Sequence, residues 1–208
     1  MLYDYLKKTY GENEPIFVSE IQYEGMSTNS IRQQIKKLTD KGLLKRYDTG
    51  IYFIPKPTIF PSGSQLSFNR VVERKYLISE GGRCGYSGSL MFANQLGLTT
   101  QVPVVTEIFT NKATTDYREV KLASVPLIIR KPPVVVTDEN YRQLQLLDLL
   151  KNIEFYSEVN GKTQIDRILA YMNAADILFT DLESYLPYYP DKIYRNMYEM
   201  GLIRGVSA

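Results

Sequence analysis

Between Ser27 and Arg46 the chain gathers side chains able to read or hold a polyanion. Asn29 and Gln33 each offer the paired donor and acceptor that match adenine, and Arg32 carries the fork that matches guanine. Lys36, Lys37, Lys45 and Arg46 are suited to phosphates, which fix position more than sequence. Ser27, Thr28 and Ser30 fall at the expected start of a helix, where free amides can hold a phosphate. The same residue types also occur on helix faces that are merely solvated, or that contact protein.

Three further groupings could carry chemistry. Glu119-Val120-Lys121, with Glu107 and Asp116 upstream, has the order by which metal-dependent nucleases hold Mg²⁺ and polarise a water. A Mg-dependent nuclease using Asp116, Glu119 and Lys121 is therefore one alternative, although alternating charge on an exposed strand face gives the same triplet. Gly81, Gly82, Gly85 and Gly88 spell neither GxGxxG nor GxxxxGK[ST], which makes tight turns the simpler reading. Ser87 and Ser89 lie near Cys84, yet no base is placed beside them. The chain has no histidine, which removes Ser-His-Asp and Cys-His catalysis and the His-Cys zinc sites. No catalytic residue, metal ligand or cofactor is assigned, and the chain is not expected to be an enzyme.

The elements that would position these residues form three pieces: 1–57, 58–136 and 137–208. In the first, a helix over Leu2–Tyr10 precedes Gly11, and a short helix around Val18–Tyr23 follows Pro15, with Ser19 as its cap. Ser27 then caps a helix over Thr28–Asp40, in which Ile31, Ile35 and Leu38 share one face. Two strand-like runs meet around Asp48-Thr49-Gly50, a hairpin turn. Three helices and a hairpin are the order of a winged helix-turn-helix. A stretch with Pro55, Pro57, Pro61 and Gly63 marks the boundary that follows.

The middle piece is expected to be mixed α/β. It has a helix over Phe68–Ile78 with Val71, Val72 and Leu77 inward, and another over Ser87–Leu96. The runs VPVVTEIFT, YREVKLA and VPLIIRK then build a small sheet. The last piece is expected to be helical. Asp138 would cap a helix through Tyr141, Leu144, Leu147 and Leu150, and a second from Thr163 would turn Ile165, Ile168, Leu169 and Met172 inward. A third would cover Ala174–Tyr185 and a fourth Pro190–Met200, with Tyr185, Tyr188, Tyr189, Tyr194 and Tyr198 forming either a partner surface or half-buried packing. The fold class is thus α+β. A weak internal echo of Phe17–Ile21 at Leu178–Leu182 suggests a second helix-turn-helix that meets protein.

Charge is unevenly spread. Residues 26–58 hold seven basic against two acidic residues (+5), whereas 138–208 hold seven against eleven (−4). Contact with a polyanion therefore belongs to the front of the chain. With 44% hydrophobic and 23% charged residues, the 208-residue chain is not disordered or collagen-like. No apolar run reaches the roughly 18 residues of a membrane span. The opening residues lack the pattern of a signal peptide. A single cysteine excludes an internal disulfide framework, and the expected location is the cytoplasm, with no membrane partner.

Two runs carry a resemblance. TNSIRQQIKKLTDKGLLKRYDTGIYFIPK resembles the N-terminal domain of the abortive-infection AbiEi antitoxins, and SGSLMFANQLGLTTQVP followed by FTNK resembles their middle region. The likeness extends over most of the chain, in the compact form of the family. It implies an antitoxin of a bacterial toxin–antitoxin or phage-defence operon that represses its own promoter through the winged helix. It further implies that the remaining two-thirds counters a nucleotidyltransferase-like toxin. In the founding type this happens without a stable complex, so direct toxin contact stays open. The expected partner is double-stranded DNA, and a homodimer on repeated half-sites follows from how few bases one winged helix reads. A winged helix that only contacts protein is the other alternative.

Overall fold

The computed structural model describes residues 1–59 and 63–202, so Pro61 of the expected boundary lies outside the described residues. The fold is α+β and divides into two compact units, Met1–Lys75 and Tyr76–Ala208. No helix among the described residues is long and apolar enough to cross a membrane.

The first unit opens with α1 (Leu2–Tyr10) and β1 (Ile16–Phe17), followed by a single 3-10 turn over Val18–Glu20. Then come α2 (Thr28–Asp40) and the hairpin β2 (Lys45–Asp48) and β3 (Ile51–Phe53), with β3 central in the sheet order β1-β3-β2. Two α-helices, one 3-10 turn and a hairpin thus stand where three helices and a hairpin are expected. Its core joins Leu2 and Leu6 of α1, Ile31 and Ile35 of α2, and Ile16, Ile21, Leu44 and Ile54. The apolar residues of α2 recur at helical spacing, and burying them turns the opposite face to water. The expected helix at Val18–Tyr23 is only the 3-10 turn, capped by Phe17 and not Ser19. Ile21 is already in extended backbone there, because it drops into the core.

The expected helix over Phe68–Ile78 is α-helical only in α3 (Phe68–Val72) and continues as a π-helical turn over Glu73–Leu77. Thr110 Oγ1 donates to the carbonyl of Tyr76, and the amide of Cys84 donates to that of Leu77. These bonds draw the carbonyls out of the α pattern. Val71, Val72 and Tyr76 are each buried, while Leu77 is only half-buried.

In the second unit β4 (Ile78–Ser79) pairs with β5 (Gly82–Arg83). A four-stranded sheet has the order β6-β7-β9-β8, with β6 at Gly85–Ser87, β7 at Thr106–Thr110, β8 at Tyr117–Leu122 and β9 at Val125–Arg130. β7 and β9 run parallel, and β8 folds back on β9 through Ala123 and Ser124, both at positive φ. The strand expected from VPVVTEIFT is confined to its second half, and Val102 and Val104 stand exposed. The helix expected from Ser87 begins at Ser89, as α4 (Ser89–Gln95).

The centre of this unit is α5 (Tyr141–Lys151), in which every residue from Leu144 to Leu150 is buried. It packs against β6, α4, α8 (Phe179–Glu183) and α9 (Lys192–Glu199). The sheet and the C-terminal helices therefore share one core, whereas the sequence divides them at residue 136. Asn140, not Asp138, stands at the cap of α5, its Oδ1 accepting from the amide of Thr137 at 2.8 Å. Asp138 instead accepts from the amide of Arg83 at 3.1 Å, because its carboxylate lies over Gly82.

The second C-terminal helix is α7 (Gly161–Ala174), where Ile168 and Met172 are buried but Leu169 is exposed. The single helix expected over Ala174–Tyr185 is broken. Asp176 has φ +53°, and Asp181 accepts from the amide of Leu178 to start α8 afresh.

Candidate nucleic-acid interface

On α2 the cap is local and complete: Ser27 Oγ accepts from the amide of Ser30 at 3.3 Å, and the two hydroxyls lie 3.0 Å apart. With Ile31 and Ile35 pinned in the core, Asn29, Gln33, Lys36 and Lys37 fall on the outward face and are exposed. Ser27, Thr28 and Arg32 are exposed as well. Asp40 closes this face at its C-terminal end, an acid that the expected set leaves out.

The hairpin adds a second wall. Thr28 and Arg32 of α2 line a groove of about 530 Å³ together with Ser19, Arg46 and Thr49. Arg46 is folded over the turn: its Nη2 donates to Thr49 Oγ1 at 3.0 Å and its Nε to the Asp48 carbonyl at 3.3 Å. Thr49 in turn donates its amide to Asp48 Oδ1, so the tip is ordered by its own side chains. Lys45 is half-buried and its ammonium lies against Gly63, where a Cβ would stand 2.5 Å away. Of the expected residues, then, Thr28, Arg32 and Arg46 share the groove, and Asn29, Gln33, Lys36 and Lys37 share the outward face. Lys45 turns aside.

Among the described residues no ion pair within 4 Å involves Arg32, Lys36, Lys37, Lys45 or Arg46. The ion pairs of this unit join Met1 to Asp4, Lys7 to Glu12, and Arg70 to both Glu14 and Glu73. A cation without a carboxylate keeps its field for an outside anion. Ser19 and Thr49 also line the groove, and the sequence reading does not place them there. They come from a 3-10 turn and a hairpin tip, where no periodic pattern points to a groove.

The other groupings separate. Glu119 and Lys121 share one face of β8, whereas Asp116 lines a different cavity. No set of three Asp, Glu, His or Cys residues stands close enough to hold a metal ion among the described residues. Gly82 has φ +105° in the β4–β5 turn, as the tight-turn reading expects, whereas Gly85 and Gly88 are set by packing. A Cβ on Gly85 would stand 2.5 Å from the carbonyl of Phe109, and one on Gly88 would stand 2.7 Å from the Glu107 carboxylate. Ser89 is buried, donating to the Asp148 carbonyl at 3.1 Å.

Asp148 itself is a polar centre that the sequence reading missed. It is buried in α5, with Lys151 donating to Oδ1 at 2.8 Å and Tyr86 Oη to Oδ2 at 2.5 Å. Burial pushes its carboxyl above the usual range, while Lys151 and Tyr86 pull it back. Burial and the neighbouring Asp148 charge also hold the Tyr86 and Tyr189 hydroxyls well above their ordinary values. The one available signal is an aspartate inside a helix stretch that is apolar all round.

The chain matches no protein-family model and no curated protein.

Proposed function

We propose that the protein is a DNA-binding regulator in which α2 reads the major groove of double-stranded DNA and the β2–β3 hairpin grips the flanking backbone. The observation that carries this reading is the exposed face of α2. Three cations without acidic partners stand there with Asn29 and Gln33, beside a groove walled by Arg46. Asn29, Arg32 and Gln33 are the base-reading residues. Lys36, Lys37 and Arg46 contact phosphates, as does the helix start at Ser27 and Thr28, with Lys45 swinging from Gly63 to join them.

The resemblance to AbiEi antitoxins supports the rest of the proposal. The protein represses its own promoter in the cytoplasm, as the antitoxin of a toxin–antitoxin or phage-defence operon, and the second unit counters a nucleotidyltransferase-like toxin. We infer no enzymatic activity of its own.

The test is competition binding of the intact protein to DNA from just upstream of its gene, against scrambled DNA at roughly 0.15 M salt. Preference of about a hundredfold or more supports an autoregulator. Equal weak binding to both would move the winged helix to a protein-contact role. Co-expression with the product of the neighbouring gene tests the antitoxin reading: growth is rescued by the full chain if it holds, and not rescued if it fails.

A further inference from the structure

We propose that β8 is a homotypic docking edge: two copies pair their β8 strands antiparallel about Val120, joining two four-stranded sheets into one. β8 ends the sheet order, with β9 as its only strand neighbour among the described residues. Tyr117, Arg118, Glu119 and Lys121 are exposed on it. Pairing with β9 sets Val120 opposite Leu127 and Glu119 opposite Ile128. Tyr117, Glu119 and Lys121 therefore share one face of the sheet, and Arg118, Val120 and Leu122 the other.

Charge narrows the register. Opposed residues in an antiparallel pair share a face, so a strand meeting its own copy must be centred on one residue. Centred on Arg118, Glu119 or Lys121, that residue meets the identical charge of the other copy, which destabilises the pairing. Centred on Val120, Glu119 meets the partner's Lys121 and Lys121 meets the partner's Glu119. Two opposite-charge pairs result, with no like charges directly opposed. Within one copy Glu119 accepts from the Tyr117 hydroxyl, and Lys121 forms no ion pair among the described residues. Beneath these two side chains lies a groove of about 270 Å³ with Val105, Pro126 and Ile128 in its lining. The aliphatic stem of the opposing lysine covers it.

Proteins usually blunt an edge strand with lysines that repel a second copy. Here the lysine comes with a glutamate two residues away, which converts the guard into a self-complementary pattern. The E-x-K triplet thereby acquires a role that needs no metal. The pairing itself does not depend on DNA binding. Where the proposed DNA reading also holds, each dimer carries two copies of α2, as a two-fold operator requires.

The experiment is sedimentation velocity on the full chain without DNA, comparing the wild type with Glu119→Lys, Lys121→Glu and the double exchange. The wild type is expected to dimerise with rising concentration. Each single variant opposes like charges twice, and its dimer should be weaker by about tenfold or more, while the double exchange recovers the wild-type affinity. In a second readout, Val120→Cys should cross-link to its own copy under copper phenanthroline and Arg118→Cys should not. A wild type that stays monomeric at the highest concentration would overturn the proposal. So would single variants that dimerise as well as wild type, a double exchange that fails to recover, or equal cross-linking at both cysteines. Since no DNA is present, any of these results leaves the DNA reading untouched.

Discussion

The two units dispose of their charges in opposite ways. Residues 1–75 carry twelve basic and eight acidic residues (+4), and the cations of α2 stand in water without acidic partners. Residues 76–208 carry thirteen basic and fifteen acidic residues (−2), and their most distinctive charge, Asp148, is buried at the wall of a cavity and held by Lys151 and Tyr86. Exposed, unpaired cations add little to folding and remain available to a polyanion. A buried, paired carboxylate is costly to leave without its partners, and here it ties α5 to Tyr86 of β6. Surface chemistry in this chain therefore points to recognition, and interior chemistry to architecture.

The comparison breaks most sharply at Lys151. Lys151→Met leaves Asp148 buried with its cation gone, and should destabilise the second unit by about 3 kcal/mol or more in urea unfolding. A loss below about 1 kcal/mol would mean that water reaches Asp148 and that the interior role is wrong. In the first unit Ile35→Ala should cost about 2–4 kcal/mol by opening the core beneath α2, with DNA affinity falling alongside it. By contrast Arg32→Ala should leave the melting temperature in place and cost about 1–3 kcal/mol of discrimination between specific and random DNA. Lys36→Ala should weaken all sequences alike and reduce the salt slope by about 1. If about six phosphates are engaged, that slope for the wild type should be near −5. Equal losses from both variants on both DNAs would collapse the division between base-reading and phosphate-holding residues.

The smallest expected effect concerns Glu158, which anchors the loop after α4. Its carboxylate accepts from the amide of Thr100 at 2.7 Å, from Thr100 Oγ1 and from Gln101 Nε2, and these bonds hold its pKa down to about 2. A carboxyl depressed in the folded state stabilises above its unfolded value, near 4.5, and that contribution is lost as pH falls toward about 2. Glu158→Gln should flatten the acid limb of the stability curve between those values. Wild type and variant losing stability in parallel over that window would contradict it. The side chain is exposed, so the effect is slight.

How much of this was legible depends on how far the deciding contacts lie along the chain. α2 was readable to its end residues because Ser27, the Ile31–Ile35 spacing and Gly42 are all local. Asp138 looked like a helix cap by the same local logic, but its partner is the amide of Arg83, 55 residues away. Asp148 was hidden in part for the same reason: Lys151 is a local partner three residues on, but Tyr86 is 62 residues distant. The spacing of Asp116, Glu119 and Lys121 could not tell a metal site from a strand face. In the structure Asp116 precedes β8 and lines a different cavity from Glu119 and Lys121. The antitoxin reading rests on resemblance, and the DNA reading on the face of one helix.

The most direct test of that second reading is hydrogen exchange on the intact protein, free and bound to the DNA upstream of its gene. If α2 and the hairpin are the reading surface, amides from Ser27 to Phe53 gain protection on binding, and those of α5 do not. Protection confined to the second unit, or none in α2 at saturating DNA, would contradict the assignment of recognition to the first unit.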